Sequence, residues 1–369
     1  MPTDEARLGE LKHRLAEVAD LGAAGAVLGW DQATYMPAGG AAARARQGAT
    51  LSRLAHEKAV DPALGKLIDS LAPYVASLPY DSDAASLVRV AKRDFEKAIK
   101  VPPDYVARAS AAGSASYDAW TRARPEDDFA TMVPYLERTI ALSREYAGFF
   151  APYAHIADPL IDGADEGMTT ASVRALFAEL RRELVPIVHA IAAQPAADET
   201  ALHGSFDEPA QIAFGRSVVE RIGYDFDRGR LDKTHHPFST RFSTGDVRIT
   251  TRVDPNDIGQ ALFSTIHEAG HALYEQGVAA GLDATPLGSG ASAGVHESKS
   301  RLWENVVGRG RGFWEHFFPV LQETFPDPFR GVTLETFYRA INRVERSLIR
   351  TDADEVTYIF ILCCASALS

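Results

Sequence analysis

The chain has 369 residues, 46% of them hydrophobic, enough for a large buried core in one large domain or two. Its 38 basic and 50 acidic side chains leave a net charge of −12, which argues against nucleic acid or an anionic membrane surface as the main partner. No apolar signal core follows the charged start Met1-Pro2-Thr3-Asp4-Glu5-Ala6-Arg7, and the apolar run at 358–368 is far shorter than the roughly 20 residues that span a bilayer.

The two cysteines, Cys363 and Cys364, are adjacent and cannot staple distant parts of the fold; the expectation is a reduced, cytoplasmic protein. Up to Ile222 the chain reads as successive helices. Leu8, Leu11, Leu15, Val18 and Leu21 form a helical stripe, and 22–36, with Trp30, Asp31 and Tyr35, reads as a less regular bend. Pro37 and Gly39-Gly40 break the chain before an alanine-rich helix. Further helical patterns cover 41–56, 84–100, 103–122, 129–153, 170–193 and 209–222, with Thr169 or Thr170 as the cap of the fifth.

The period changes at 239–253. Ser243-Thr244-Gly245-Asp246 is a turn signal, and Val247-Arg248-Ile249-Thr250-Thr251-Arg252-Val253 alternates imperfectly, with β-branched residues. The expectation is a short β-hairpin, either purely structural or able to hold extended peptide by main-chain hydrogen bonds. Pro255 then precedes an apolar helical run that carries His267-Glu268-Ala269-Gly270-His271. Positions i and i+4 share a helix face, so His267 and His271 can grip one metal ion, and Glu268, rotated by about 100°, can act as a general base beside it. The motif points to a zinc hydrolase; the bland reading is a buried helix that happens to carry two histidines.

After a glycine-rich connection at 287–294, helices resume at 296–309, 312–324, 334–349 and from 352 onward, giving a mostly helical fold with one small sheet. A catalytic zinc site takes a third protein ligand, and Val295-His296-Glu297-Ser298 offers Glu297, with His296 as its competitor. A glutamate near a helix start is ordinarily a solvated, dipole-favoured acid, so the spacing leaves the choice open. Glu304, at i+7 from Glu297, is a candidate to support a ligand imidazole. Gly290-Ala291-Ser292-Ala293-Gly294 matches the serine-hydrolase elbow, with Ser292 as its nucleophile, but no β-branched run precedes it.

Several short motifs in order carry a family resemblance: His236-Pro237-Phe238; Asp246-x-Arg248-x-Thr250; His267-Glu268-x-x-His271; His296-Glu297-Ser298; and Ile349-Arg350-x-x-Ala353-Asp354-Glu355-x-Thr357-Tyr358. Leu28-Gly29-Trp30-Asp31-Gln32-Ala33-Thr34-Tyr35-Met36-Pro37 adds to the set. The sequence resembles the carboxypeptidase Taq family of metallocarboxypeptidases from near the N-terminus to Tyr358. The resemblance implies a mainly α zinc-peptidase fold with a deep groove, His267, His271 and Glu297 as zinc ligands, and Glu268 as general base. It further implies a substrate cleft lined by His236, Arg248 and Arg350, a homodimer, cobalt accepted in place of zinc, and hydrolysis of C-terminal residues from peptides with a free C-terminus. A guanidinium suits an α-carboxylate because it offers two parallel hydrogen bonds, although surface exposure is the ordinary fate of arginine.

Two departures stand out. Lys299 replaces the glutamine common after His-Glu-Ser, and 359–369, which is wholly apolar up to Ala365, does not resemble the family's continuation. The expectation is therefore a single, C-terminally incomplete catalytic domain over 1–369, with a helical part at 1–222 and a metal-site part at 223–369, an exposed apolar tail and a missing cleft wall. The alternative function is a catalytically impaired metal-binding remnant.

Overall fold

A computed structural model of the chain describes residues 2–345 and 354–358. Arg350 and the apolar tail after Tyr358 lie outside the described residues. The first helix, α1 (Asp4–Thr34), is capped by Thr3, whose hydroxyl accepts from the Ala6 N–H, and carries Asp4 and Glu5 in its first turn. It continues through 22–34, where the sequence suggested a bend, and ends with Tyr35 as its C-cap. A Cβ at Gly22, Gly25 or Gly29 would meet nothing within 4 Å, so these glycines are helix positions facing open space rather than breaks. Helices α2 (Ala41–Ala59), α3 (Pro62–Val75), α4 (Asp83–Ala98), α5 (Pro103–Ala123), α6 (Phe129–Gly148), α7 (Asp158–Ala164), α8 (Thr170–Ala192) and α9 (Glu208–Arg221) follow. Thr169 caps α8, in a reciprocal box with Ser172. Helices α3 and α7 were not expected. Leu11 of α1, Leu64, Ile68 and Leu71 of α3, and Val88 of α4 close one core.

Three strands then form a small sheet of order β1-β3-β2. β2 (Ser239–Ser243) and β3 (Asp246–Thr251) are the expected hairpin, antiparallel with a register irregularity between Arg241 and Ser243. β1 (Leu231–Lys233) pairs parallel to β3 and was missed, since three residues are too few to show a period. Helix α10 (Ile258–Gln276) lies between this sheet and an aromatic core. Val219, Tyr224, Val247, Ile249, Ala269 and Ala272 pack on one side of it. Phe214, Ile266, Trp314, Phe318 and Phe337 belong to the core on the other.

The chain continues through α11 (Ala293–Arg301), a π-helical stretch (Leu302–Val307), α12 (Arg311–Thr324) and α13 (Leu334–Ile341). The expected single helix at 296–309 is thus an α-helix that widens into a π turn, a form that recurs at functional sites. Among the described residues, no helix is long and apolar enough to cross a membrane.

Candidate metal centre

α10 is fixed at its start before it presents any chemistry. Asp257 accepts the Gly259 and Gln260 N–H groups at 2.7 and 3.2 Å. Thr265 then donates to Ala261 and lies 3.0 Å from the Thr251 hydroxyl on β3. The helix therefore cannot rotate without breaking buried hydrogen bonds. One face of it opens on a cavity of about 680 Å³, and His267, Glu268 and His271 line that cavity together with Glu297, His236 and Ser239.

The imidazole nitrogens of His267 and His271 and a carboxylate oxygen of Glu297 all lie within 4.8 Å of one another. Glu297 Oε2 is 3.7 Å from His267 Nε2 and 3.4 Å from His271 Nε2. Two imidazoles and one carboxylate converging on one point make a donor set suited to a divalent ion such as zinc. Close helix packing brings the carboxylate there. Gly270 of α10 abuts α11, where a Cβ would fall 2.7 Å from Ser300 Cα and 2.9 Å from Lys299 O.

Each imidazole is held from behind. His267 Nδ1 lies 2.8 Å from Glu304 Oε2, and Arg301 and Arg309 sit on the same carboxylate at 3.2 and 3.4 Å. His271 Nδ1 lies 2.5 Å from His296 Nδ1, and His296 Nε2 lies 2.8 Å from Glu275. His296, the competing ligand in the sequence, thus stands one step behind the three converging donors.

Burial opposes charge on every one of these groups, and the neighbours decide the outcome. Burial pushes the Glu268 carboxyl up to about 7, against the lowering influence of His267 and of a hydrogen bond from the Ser239 backbone. Burial also raises Glu297, but His271, His267 and Arg301 outweigh it and hold this carboxyl well below the usual range. Glu304 is likewise lowered, by His267, Arg301 and Arg309 against its own burial. Burial lowers His271, and Glu297 only partly offsets it. For His267, burial works downward, but Glu304, Glu268 and Glu297 together raise its value.

His236 lines the cavity, with its ring edge-on to Trp120. Arg248 is not among the lining residues. Its guanidinium is held by both oxygens of Asp246, at 2.8 and 2.7 Å, and stacks over Trp30 and Phe242. Lys299 also stays out of the cavity lining. Ser292 is the N-cap of α11 and accepts from Val295, with turns rather than a strand before it, so the serine elbow is a helix cap. Sequence reasoning missed Glu275, Arg301 and Arg309. It also missed Arg252, a wall residue whose guanidinium donates to Gln260 Oε1 at 3.2 Å and pairs with no carboxylate among the described residues. Its position two residues after Thr250 of the Asp-x-Arg-x-Thr motif was the available signal. Tyr358 donates to Glu297 Oε1 at 3.3 Å, which brings the end of the last motif to the site.

The sequence profile of the carboxypeptidase Taq (M32) metallopeptidases matches residues 10–363. Thermostable carboxypeptidase 1 of Thermus thermophilus is 41% identical over 366 residues, which cover 96% of this chain and 72% of that protein. Carboxypeptidase 1 of Bacillus subtilis is 36% identical, over 93% of this chain and 68% of its own length. Among solved structures, the M32 carboxypeptidase of Deinococcus radiodurans R1 is 51% identical with a TM-score of 0.84, over 96% of this chain and 70% of that one. The Pyrococcus furiosus carboxypeptidase is 32% identical with a TM-score of 0.88, over 98% and 73%. A shared fold, the ordered motifs and a donor set built for a divalent ion agree with these matches: the chain belongs to the carboxypeptidase Taq (M32) metallopeptidase family and is a peptide hydrolase, a metallocarboxypeptidase.

Proposed function

We propose that His267, His271 and Glu297 hold a zinc ion, with Glu268 as the general base in removing C-terminal residues from peptides. The observation that carries this reading is the meeting of the three donor groups within 4.8 Å, with a buried carboxyl, Glu268, beside them and not among them. When bound there, zinc, or cobalt in its place, would supply a Lewis acid for the scissile carbonyl and would lower the pKa of water toward about 7. Glu268 takes the proton of the attacking water and returns it to the leaving amine nitrogen. Its placement supports this role: it is a buried carboxyl on the same cavity as the three donors and is not one of them.

A carboxypeptidase must also bind the terminal carboxylate. Arg350 of the last motif is proposed for that task. On the cavity wall, Arg252 supplies a guanidinium free of carboxylate partners among the described residues, steadied by Gln260, and His236 borders the same space. Zinc as the ion used, a homodimer and a cytoplasmic location belong to the same proposal; the last two rest on the family resemblance and on cysteine usage.

The test pairs metal analysis with hydrolysis of an N-terminally blocked peptide, as free acid and as C-terminal amide. The expected result is one zinc per chain and release of the last residue from the acid only. Equal rates on acid and amide would point to an endopeptidase. Dependence on a free N-terminus would point to an aminopeptidase.

A further inference from the structure

We propose that His296 and Glu275 are positioning residues that fix the tautomer and orientation of His271, forming a relay that ends on strand β2. The inference rests on the ligand reading above. Glu275 is buried at 5% exposure, one turn beyond His271 on α10, and does not line the cavity. A buried carboxylate so placed calls for a reason. Its Oε1 accepts from His296 Nε2 at 2.8 Å and from the Gly290 N–H at 3.3 Å. Arg241 of β2 lies 3.5 Å from its other oxygen and pairs in turn with Asp283, which also takes the Thr244 N–H at 3.0 Å.

The proton positions follow from the partners. A carboxylate only accepts, so the His296 Nε2 that faces Glu275 carries a proton. In the neutral ring, His296 Nδ1 is then the acceptor, and the proton in its 2.5 Å contact with His271 belongs to His271 Nδ1. That leaves the lone pair of His271 on Nε2, the nitrogen that faces Glu297. A negative charge behind a ligand imidazole also raises its basicity. The two ligand histidines are therefore supported differently: His267 directly by Glu304, and His271 through a second imidazole. Packing holds that imidazole in place. Tyr274 meets its ring edge-on at 5.4 Å between centroids, and a Cβ on Gly290 would fall 2.5 Å from its Cδ2.

The experiment measures binding of Zn2+, by competition with a chelating dye, and of Co2+, by its visible absorption. Both are applied to the 369-residue wild type, His296→Leu, His296→Gln, Glu275→Gln and Gly290→Ala, with thermal unfolding of each metal-free protein alongside. His296→Leu should weaken zinc by roughly 10- to 100-fold and shift the Co2+ spectrum, a loss larger than any fall in the metal-free unfolding temperature from unpairing Glu275 accounts for. His296→Gln, which can both accept and donate, should recover part of the loss. Gly290→Ala should weaken zinc by displacing the ring without removing it, which covers the case of a histidine variant that fails to fold. His271→Ala separates the two ideas. If it loses metal while all the relay variants bind zinc within twofold of wild type, the relay is overturned and the ligand reading stands. If His271→Ala binds zinc as wild type does, the ligand reading falls and the relay with it.

Discussion

Glu268 and Glu297 are two carboxyl groups at one cavity with opposite fates. Burial holds Glu268 up to about 7, while two imidazoles and Arg301 overcome the same penalty at Glu297 and keep it ionised. Environments that push two acids apart separate their tasks: an ionised group suits a cation, and a raised one suits proton transfer. Glu268→Gln keeps size and removes the proton acceptor. The expected outcome is a fall of roughly 10²- to 10⁴-fold in kcat, with metal content per chain unchanged. Steady-state kinetics beside metal analysis checks it. Loss of metal would make Glu268 a ligand or a structural group, and retained turnover would remove it from the mechanism.

At the scale of elements, the site depends on how closely α10 and α11 approach. Both histidines ride on α10, while Glu297 rides on α11, and Gly270 is the point of contact. Backbone atoms of Lys299 and Ser300 would meet an added methyl, so no flexible side chain can yield. Gly270→Ala should destabilise the protein by about 1–3 kcal/mol and weaken zinc binding, because α11 must move away and take its carboxylate with it. Calorimetric unfolding and a zinc titration check this; unchanged values for both would mean the helices already have slack. The pair His267/His271 and the hairpin were legible because each depends on local signals, the i and i+4 spacing for the one and a turn signal followed by β-branched residues for the other. The approach at Gly270 was not, because a glycine inside a helix carries the same letter whether it faces a neighbour's backbone, as here, or open space, as at Gly22 and Gly25. The same ambiguity produced the false bend in α1. The relay through His296 to Glu275 was hidden because it joins two elements across a loop. The π turn that carries Glu304 has no period that sequence displays. Helix α3, by contrast, was readable and overlooked: Asp61 caps it, Pro62 opens it, and Leu64, Ile68 and Leu71 keep helical spacing.

Across the whole molecule, the long helix α1 reaches the sheet behind the metal helix through a small set of charged and aromatic contacts. Arg248 of β3 stacks its guanidinium 4.3 Å from the Trp30 ring centre, and Arg230 stacks on the same ring at 5.2 Å. Tyr35 donates to Asp232, which also holds Arg230 through two bonds of 2.7 Å, and Thr234 reaches Ala33 O at 3.1 Å. On the α1 side these contacts fall in the Leu28–Pro37 motif; on the sheet side Arg248 belongs to the Asp-x-Arg-x-Thr motif, while Arg230, Asp232 and Thr234 lie at and beside β1. The contacts give Arg248 a task that needs no substrate. If that task is a clamp between α1 and the sheet, Arg248→Ala should cost about 0.5–2 kcal/mol of stability while preference for free acid over amide is retained. Trp30→Ala should cost a comparable amount, and the double variant should cost less than the sum, because both single changes break the same stack. If Arg248 instead reads the α-carboxylate, Arg248→Ala would raise KM on the free acid, erase the acid-over-amide preference and add independently to Trp30→Ala. Unfolding curves for the four proteins of this cycle, with acid and amide kinetics on each, therefore distinguish a clamp from a substrate-binding residue.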